Sequence, residues 1–252
     1  MAATHHQPHG LPTSRHECKY FLPERQVADL RQFMQPFMKL DSHGMDREGG
    51  RYPIVSLYLD TPDFKLHHQT LQGVKNRFKL RVRTYSDDPG GPVFFEIKRR
   101  VDKIIIKHRA KVSHQEAQAL LSGSGAPFIG STDKFMELSL RLKACPVVRV
   151  RYDREAYVSR SGDSVRITID SHLTHQKTLD PLLAMGGEGW QPTPVEGHIL
   201  EIKFTERYPA WVQELIRAFE LQRISIPKYV LSVKEAFGSM PRLDPLGQRL
   251  QT

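Results

Sequence analysis

The chain has 252 residues, and 37 Lys and Arg against 28 Asp and Glu give it a formal net charge of +9; its pI is near 9.6 and its mean hydropathy −0.47. No stretch approaches the ~20 apolar residues that span a bilayer as a helix, and the polar, His-rich start lacks the apolar core of a signal peptide. The cysteines, Cys18 and Cys145, are too few for a disulfide framework or a thiolate zinc site and fit a reducing cytoplasm, while the basic excess favours an acidic partner: nucleic acid, an anionic membrane or a phosphate-rich substrate.

Residues 1–14 read as a disordered tail, with His5, His6 and His9 solvated rather than metal-bound. Arg15 to Phe21 predicts a first strand, and Pro23 starts a helix with Val27, Leu30, Phe33 and Phe37 near helical spacing. Asp41 to Arg51 is a loop. Ile54 to Leu59 is a strand ending at Asp60-Thr61-Pro62, and strands follow at 77–85, 93–99 and 103–112. Asp87-Asp88-Pro89-Gly90-Gly91 separates the first two of these, and Val101-Asp102-Lys103 closes a tight hairpin between the next two. Ser113 and Glu116 have the spacing of a capping box, and a second helix covers Asp133 to Leu142. Strands return at 147–158, 165–170 and 173–177, with a turn at Ser161-Gly162-Asp163. A Gly- and Pro-rich loop spans 179–194, and 198–205 is the last strand. Helices at 209–219 and 228–237 complete the chain, and 239–252 reads as a C-terminal tail. Eight or nine hairpin-linked strands with four or five helices predict an α+β fold, an antiparallel β-barrel with helices packed outside, over residues 15–238.

One pattern recurs on these strands. Lys79-Leu80-Arg81-Val82-Arg83, Glu96-Ile97-Lys98, Arg149-Val150-Arg151, Arg166-Ile167-Thr168-Ile169-Asp170 and Glu201-Ile202-Lys203 all alternate charged with apolar residues. Strand side chains alternate faces, so each segment has one apolar and one ionic face. The plain explanation is a solvated sheet face. Three features weigh against it. Lys79, Arg81 and Arg83 are all cationic, as are Lys107, Arg109 and Lys111, whereas solvated faces mix signs. Like charges this close repel unless an anion sits among them. Acids stand only at selected positions, Glu17, Glu96, Asp170 and Glu201, and amphipathic helices are at hand to cover the apolar faces. Ionic faces turned into a closed barrel form a tunnel for a polyanion. Arginine grips phosphate oxygens bidentately, and acids among cations either hold a divalent metal or orient a neighbouring Lys or Arg. His67, His68 and His108 read as surface or structural residues, and Trp190 and Trp211 as packing. No Walker-type loop, nucleophile elbow or aromatic base-stacking platform is present.

Arg15-x-Glu17-x-Lys19-Tyr20, Ser56-Leu57-Tyr58-Leu59-Asp60-Thr61, the strand 79–85, Glu96-Ile97-Lys98, Pro146-x-x-Arg149-x-x-Tyr152-x-Arg154-x-Ala156-Tyr157, the strand 165–170, Leu200-Glu201-Ile202-Lys203 and Pro209-x-Trp211 occur in that order. Together they resemble the vacuolar transporter chaperone (VTC) domain, of the CYTH-related triphosphate tunnel metalloenzymes. The resemblance implies a polyphosphate polymerase that moves the γ-phosphate of ATP onto a growing inorganic polyphosphate chain with Mn2+ or Mg2+. It implies Lys19 at the transferred phosphate and Arg81, Arg83 and Lys98 along the triphosphate. It implies Arg149 and Arg166 binding from the far wall, Lys203 as a further cation, Lys228 closing the site and Glu201 as the metal ligand; Lys107, Arg109 and Lys111 lie where the family places further tunnel cations, and the sequence leaves open which of them face the tunnel. The family usually has Ser before the C-terminal Lys-Tyr motif, where this chain has Pro227; that removes a hydroxyl and an N–H near the terminal phosphate. The chain shows neither the inositol-phosphate sensor domain nor the membrane anchor of eukaryotic versions, and the expectation is a stand-alone bacterial form in the cytoplasm. ATP and polyphosphate are the expected partners, nucleic acid is not, and a membrane partner is left open. A metal-dependent tripolyphosphate hydrolase and a non-catalytic polyphosphate-binding module are the rival readings.

Overall fold

Alternation shapes the strands of the computed structural model, which describes residues 15–102, 104–123, 130–162, 164–195, 197–205, 207, 209–225 and 227–238. The strands are β1 (Arg15–Leu22), β2 (Met38–Leu40), β3 (Arg51–Asp60), β4 (Asn76–Thr84), β5 (Pro92–Val101), β6 (Ile104–Ser113), β7 (Cys145–Ser159), β8 (Arg166–Lys177), β9 (Gln191–Pro192) and β10 (His198–Thr205). The helices are α1 (Val27–Met34), α2 (Lys65–Leu71), α3 (His114–Ser122), α4 (Asp133–Arg141), α5 (Ala210–Ala218) and α6 (Lys228–Phe237). Both tails, Lys103 and Asp163 lie outside the described residues.

The expected elements form with local adjustments. Glu24–Gln26 make a 3-10 turn before α1. The 165–170 and 173–177 strands are one strand, β8, carrying a left-handed residue at His172 (φ 50°) where the alternation breaks. The capping box at α3 is complete: Glu116 N donates to Ser113 Oγ at 3.2 Å and Ser113 N to Glu116 Oε2 at 2.7 Å. Helix α2 was not expected, because its cap lies upstream in sequence. Asp60 accepts from Leu66 N and His67 N, each at 2.8 Å, and Thr61 Oγ1 accepts from Lys65 N at 2.9 Å.

The described residues divide into two compact units. One takes those within Met1–Gly50, Glu155–Ile169 and Glu196–Ser225, the other those within Arg51–Arg154, Asp170–Val195 and Ile226–Thr252. Strands β7 and β8 run through both. In the first unit, β1 pairs antiparallel with β10, which neighbours β8, and β2 pairs with the end of β7. Cys18, Tyr20, Leu22, Leu200, Ile202 and Phe204 alternate onto one face, where Leu30 and Met34 of α1 and Val212 and Leu215 of α5 cover them. In the second unit the order from β7 is β3-β4-β5-β6, all antiparallel from β3 onward. Leu57, Leu80, Val82, Phe95 and Ile97 pack there against Leu66 of α2, Leu120 of α3 and Phe135 of α4. Burying side chains of this size supplies about 1.5–3 kcal/mol each.

The fold is thus α+β, a mostly antiparallel sheet flanked by helices, but among the described residues the sheet does not close into the barrel expected from the sequence. Its hydrogen-bonded path is open, with ends at β1 and β6. Among the described residues β6 pairs with β5 alone. Its exposed Lys107, Arg109 and Lys111 are the charges that keep a free edge from pairing. Among the described residues no helix is long and apolar enough to cross a membrane.

Candidate functional site

In the first unit, the side chains left over when the apolar half of β1 and β10 turns to the helices are Glu17, Lys19, Glu201 and Lys203. Register places Glu17 opposite Lys203 and Lys19 opposite Glu201. Lys19 Nζ lies 3.3 Å from Glu17 Oε1 and 3.8 Å from Glu201 Oε1, and Lys203 Nζ lies 3.2 Å from Glu201 Oε2. Two ammonium groups therefore balance two carboxylates, and the Glu201 side chain is only 7% exposed. Arg166, on β8, is held by Asp41, with Nη2 donating to Oδ2 at 2.7 Å.

The second unit carries a different face. Three cross-strand rows lie on it: Lys79-Lys98-Lys107, Arg81-Glu96-Arg109 and Arg83-Phe94-Lys111, seven cations around one acid. Arg81 Nε donates to Glu96 Oε2 at 2.5 Å, and Arg109 Nε lies 3.4 Å from Glu96 Oε1 with its guanidinium 3.6 Å over the Phe94 ring. Arg83 is buried, donating through Nε to Ser56 Oγ and through Nη2 to Tyr152 Oη, both at 3.0 Å. Burial works against the Glu96 carboxylate, but Arg81, Arg83 and Arg109 outweigh it and hold its pKa at about 2. Burial likewise opposes ionisation of the Tyr58 phenol, yet Arg81, Arg83 and Lys228 bring it below its usual value. Both shifts come from the cations that neighbour the two groups.

A second cluster stands in the same unit. Asp170 accepts from Arg154 Nε at 2.6 Å, from Arg154 Nη2 at 2.8 Å and from Lys228 Nζ at 2.6 Å. The Tyr152 ring lies 4.6 Å from Lys228 Nζ and 5.3 Å from the Arg154 guanidinium. Tyr58 stacks on Tyr229 at 4.7 Å, and Tyr229 donates to buried Asp60. Tyr58, Tyr152 and Arg154 were given no role from the sequence. For Tyr58 and Tyr152 the signal was their phase, two residues from Asp60 and Arg154, hidden because Tyr does not read as charged.

Most predicted positions therefore fall into local groups: Lys19, Lys203 and Glu201 in one unit, and Arg81, Arg83, Lys98, Lys107 and Arg109 in the other, where Lys228 joins Asp170. Arg149 stands apart from these groups. With Arg151 it turns to Trp190, on the opposite face of β7 from Tyr152 and Arg154. Strand β7 is buried on both faces around Val148, Arg149 and Val150, so its alternation does not reveal which face meets the other cations. His67 and His68 are buried structural residues. Burial, with the neighbouring His68, lowers the His67 pKa to about 4.

Among the described residues no three His, Cys, Asp or Glu side chains converge to hold a metal ion. Glu17 and Glu201, meeting at one ammonium, still fit the kind of divalent ion that takes one or two carboxylates and fills its remaining positions with water and phosphate oxygens.

Comparison with known proteins gives the family and the fold. A family model described as the VTC domain matches residues 14–237. Subunit 4 of the vacuolar transporter chaperone complex of Trypanosoma cruzi (strain CL Brener) is 22% identical over 233 residues, 75% of this chain and 29% of that protein. The chain thus spans under a third of that relative's length. Among solved structures, a putative adenylate cyclase from Bacillus halodurans aligns with a TM-score of 0.53 at 16% identity, covering 88% of this chain and 96% of that one. This last likeness is one of fold.

Proposed function

The chain belongs to the VTC domain family, and from that premise we propose that it is a metal-dependent phosphotransferase that moves the γ-phosphate of ATP onto inorganic polyphosphate. The observation that carries the reading is the second unit's face, where seven cations surround a single carboxylate. Phosphoryl transfer asks a protein for charge neutralisation and positioning rather than covalent chemistry. Arg81 and Arg83 are the clamps: their guanidiniums are fixed by Glu96, Ser56 and Tyr152 and keep donors for phosphate oxygens. Lys98, Lys107 and Arg109 extend the charge along the strands. Lys228, oriented by Asp170, adds a point charge.

Glu201, with Glu17, would hold Mn2+ or Mg2+, and the metal would supply Lewis-acid polarisation of phosphate oxygens. Lys19, shared by the two carboxylates, is the cation poised to trade partners when an anion enters. Both cysteines are free thiols, which supports a reducing compartment such as the cytoplasm.

One observation favours a second reading, a polyphosphate-binding module without turnover. Pro227 caps α6 with no side-chain hydrogen bond, in the position where the family usually offers a hydroxyl. Incubation with ATP and MnCl2, followed by gel resolution of products, decides between them. The polymerase yields long chains. Orthophosphate alone overturns it in favour of a hydrolase, and retained tripolyphosphate binding with no turnover makes the binding module correct.

A further inference from the structure

The face of β7 that turns away from Tyr152 holds an arginine with two buried nitrogens that have no hydrogen-bond partner. Arg151 is anchored, its Nη1 donating to Met185 O at 3.0 Å and its guanidinium 4.6 Å from the Trp190 ring. Arg149 approaches the same ring at 5.7 Å and is only 7% exposed, yet its Nε and Nη1 are buried with no hydrogen-bond partner. Asp180 is the acid whose charge reaches it, without an ion pair. Gln176 repeats the situation from β8. Its Nε2 donates to Glu188 O at 2.8 Å, while its Oε1 is buried and unpartnered.

Segment 179–190 is a fixed cover over this face. Leu183 is fully buried in the helix-covered core of the second unit, and its carbonyl meets a ring nitrogen of His114 at 2.9 Å. Met185 N donates to Asp87 Oδ1 at 2.8 Å. Buried donors left unpaired are destabilising, more so when charged, and such groups ordinarily have a water or an ion between them. We propose that Arg149, Arg151 and Gln176, beside Trp190, form an oxyanion site for a phosphate-class anion, separate from the cationic face of β4, β5 and β6.

The donor pattern selects the ligand. Guanidinium N–H groups need acceptor oxygens, which any oxyanion supplies. Gln176 Oε1 needs a donor, which a hydrogen phosphate or the protonated end of a phosphate chain has and sulfate lacks. Two guanidiniums facing one more distant carboxylate leave net positive charge for the anion to neutralise.

Trp190 is a built-in reporter. In the full chain carrying Trp211→Phe, its fluorescence should change saturably on titration with inorganic phosphate, and sulfate should bind several-fold more weakly. Tripolyphosphate run in parallel distinguishes a free phosphate from a chain end. Arg149→Met should weaken binding about tenfold or more, the loss of one charge-assisted donor pair, whereas Arg81→Ala should leave it unchanged. Gln176→Leu keeps both arginines and should erase the preference for phosphate over sulfate, so the site stays testable if Arg149→Met fails to fold. No saturable change, as for a buried water alone, would overturn the site; so would equal affinity in Arg149→Met or loss of the signal in Arg81→Ala. Because ATP turnover is measured separately, this result does not depend on the phosphotransferase reading.

Discussion

The two ionic faces differ in how their charge is balanced. In the first unit Lys19 and Lys203 are matched by Glu17 and Glu201, so the face is neutral with its own side chains. In the second unit the cross-strand rows of β4, β5 and β6 set seven cations beside one acid, Glu96. The neutral face carries its counter-charges within itself, and under the proposed function its carboxylates would hold the metal ion. The cationic face sets like charges side by side, an arrangement that a bound anion would stabilise. The same period-two alternation thus sets opposite charges side by side in one unit and mostly like charges side by side in the other.

The largest test of this contrast is Glu201→Gln, which keeps size and removes one negative charge. Turnover with ATP and Mn2+ should fall about 100-fold or more, because the phosphoryl group loses its divalent counter-charge. Tripolyphosphate binding without metal, read by calorimetry, should persist or tighten, since a repulsive carboxylate has gone. Wild-type turnover in this variant would show that Glu201 is not the metal ligand.

Arg81→Ala addresses the other face. It should weaken metal-free tripolyphosphate binding about 10- to 100-fold, while Lys203→Ala, on the balanced face, costs only a few-fold. Equal losses in the two variants would erase the distinction between the faces.

The carboxylate at the centre of the cationic face gives the contrast a pH signature. Glu96 ordinarily titrates at 4.5 and is held at about 2, chiefly by Arg81 against the effect of burial. A depressed carboxylate contributes stability that is complete above its unfolded pKa and is lost as pH falls through the folded one. Wild type should therefore lose thermal stability steeply between pH ~4.5 and ~2, and Glu96→Gln should start lower at neutral pH and fall less steeply across that window. Parallel melting curves for the two proteins would mean the ion pair contributes little to folding.

What could be read from the sequence follows from where alternation is one-sided. On β4 the apolar partners Leu80 and Val82 are fully buried, so the phase of Lys79, Arg81 and Arg83 is unambiguous. The same holds for Glu201 between Leu200 and Ile202. On β7 both faces are covered, and burial on both sides removes the polarity that marks a face, so alternation alone does not say which set of cations Arg149 joins. Sheet closure was equally beyond reach. Alternation specifies which face of each strand is apolar, but not whether the first and last strands pair. Helix α2 escaped because Asp60 caps it from six and seven residues upstream, a distance at which capping motifs are not recognised.

The smallest expected effect belongs to Tyr152, which the structure, not the sequence, brings into the cationic unit. Its hydroxyl accepts from Arg83 Nη2 at 3.0 Å, and its ring lies 4.6 Å from the Lys228 ammonium. These two parts can be separated. Tyr152→Phe removes the acceptor and keeps the ring, so Arg83 stays near its place through Ser56 but loses one orienting bond. Such a bond contributes about 0.5–1.5 kcal/mol, and tripolyphosphate affinity should fall only two- to tenfold. Tyr152→Leu removes the ring as well. It should add a further loss of similar size, because Lys228 gives up a cation–π contact. If Tyr152→Phe is as damaging as Tyr152→Leu, the hydroxyl alone carries the residue's contribution. If neither variant changes affinity, Arg83 is positioned by Ser56 and by the sheet itself, and the cationic face needs no help from β7.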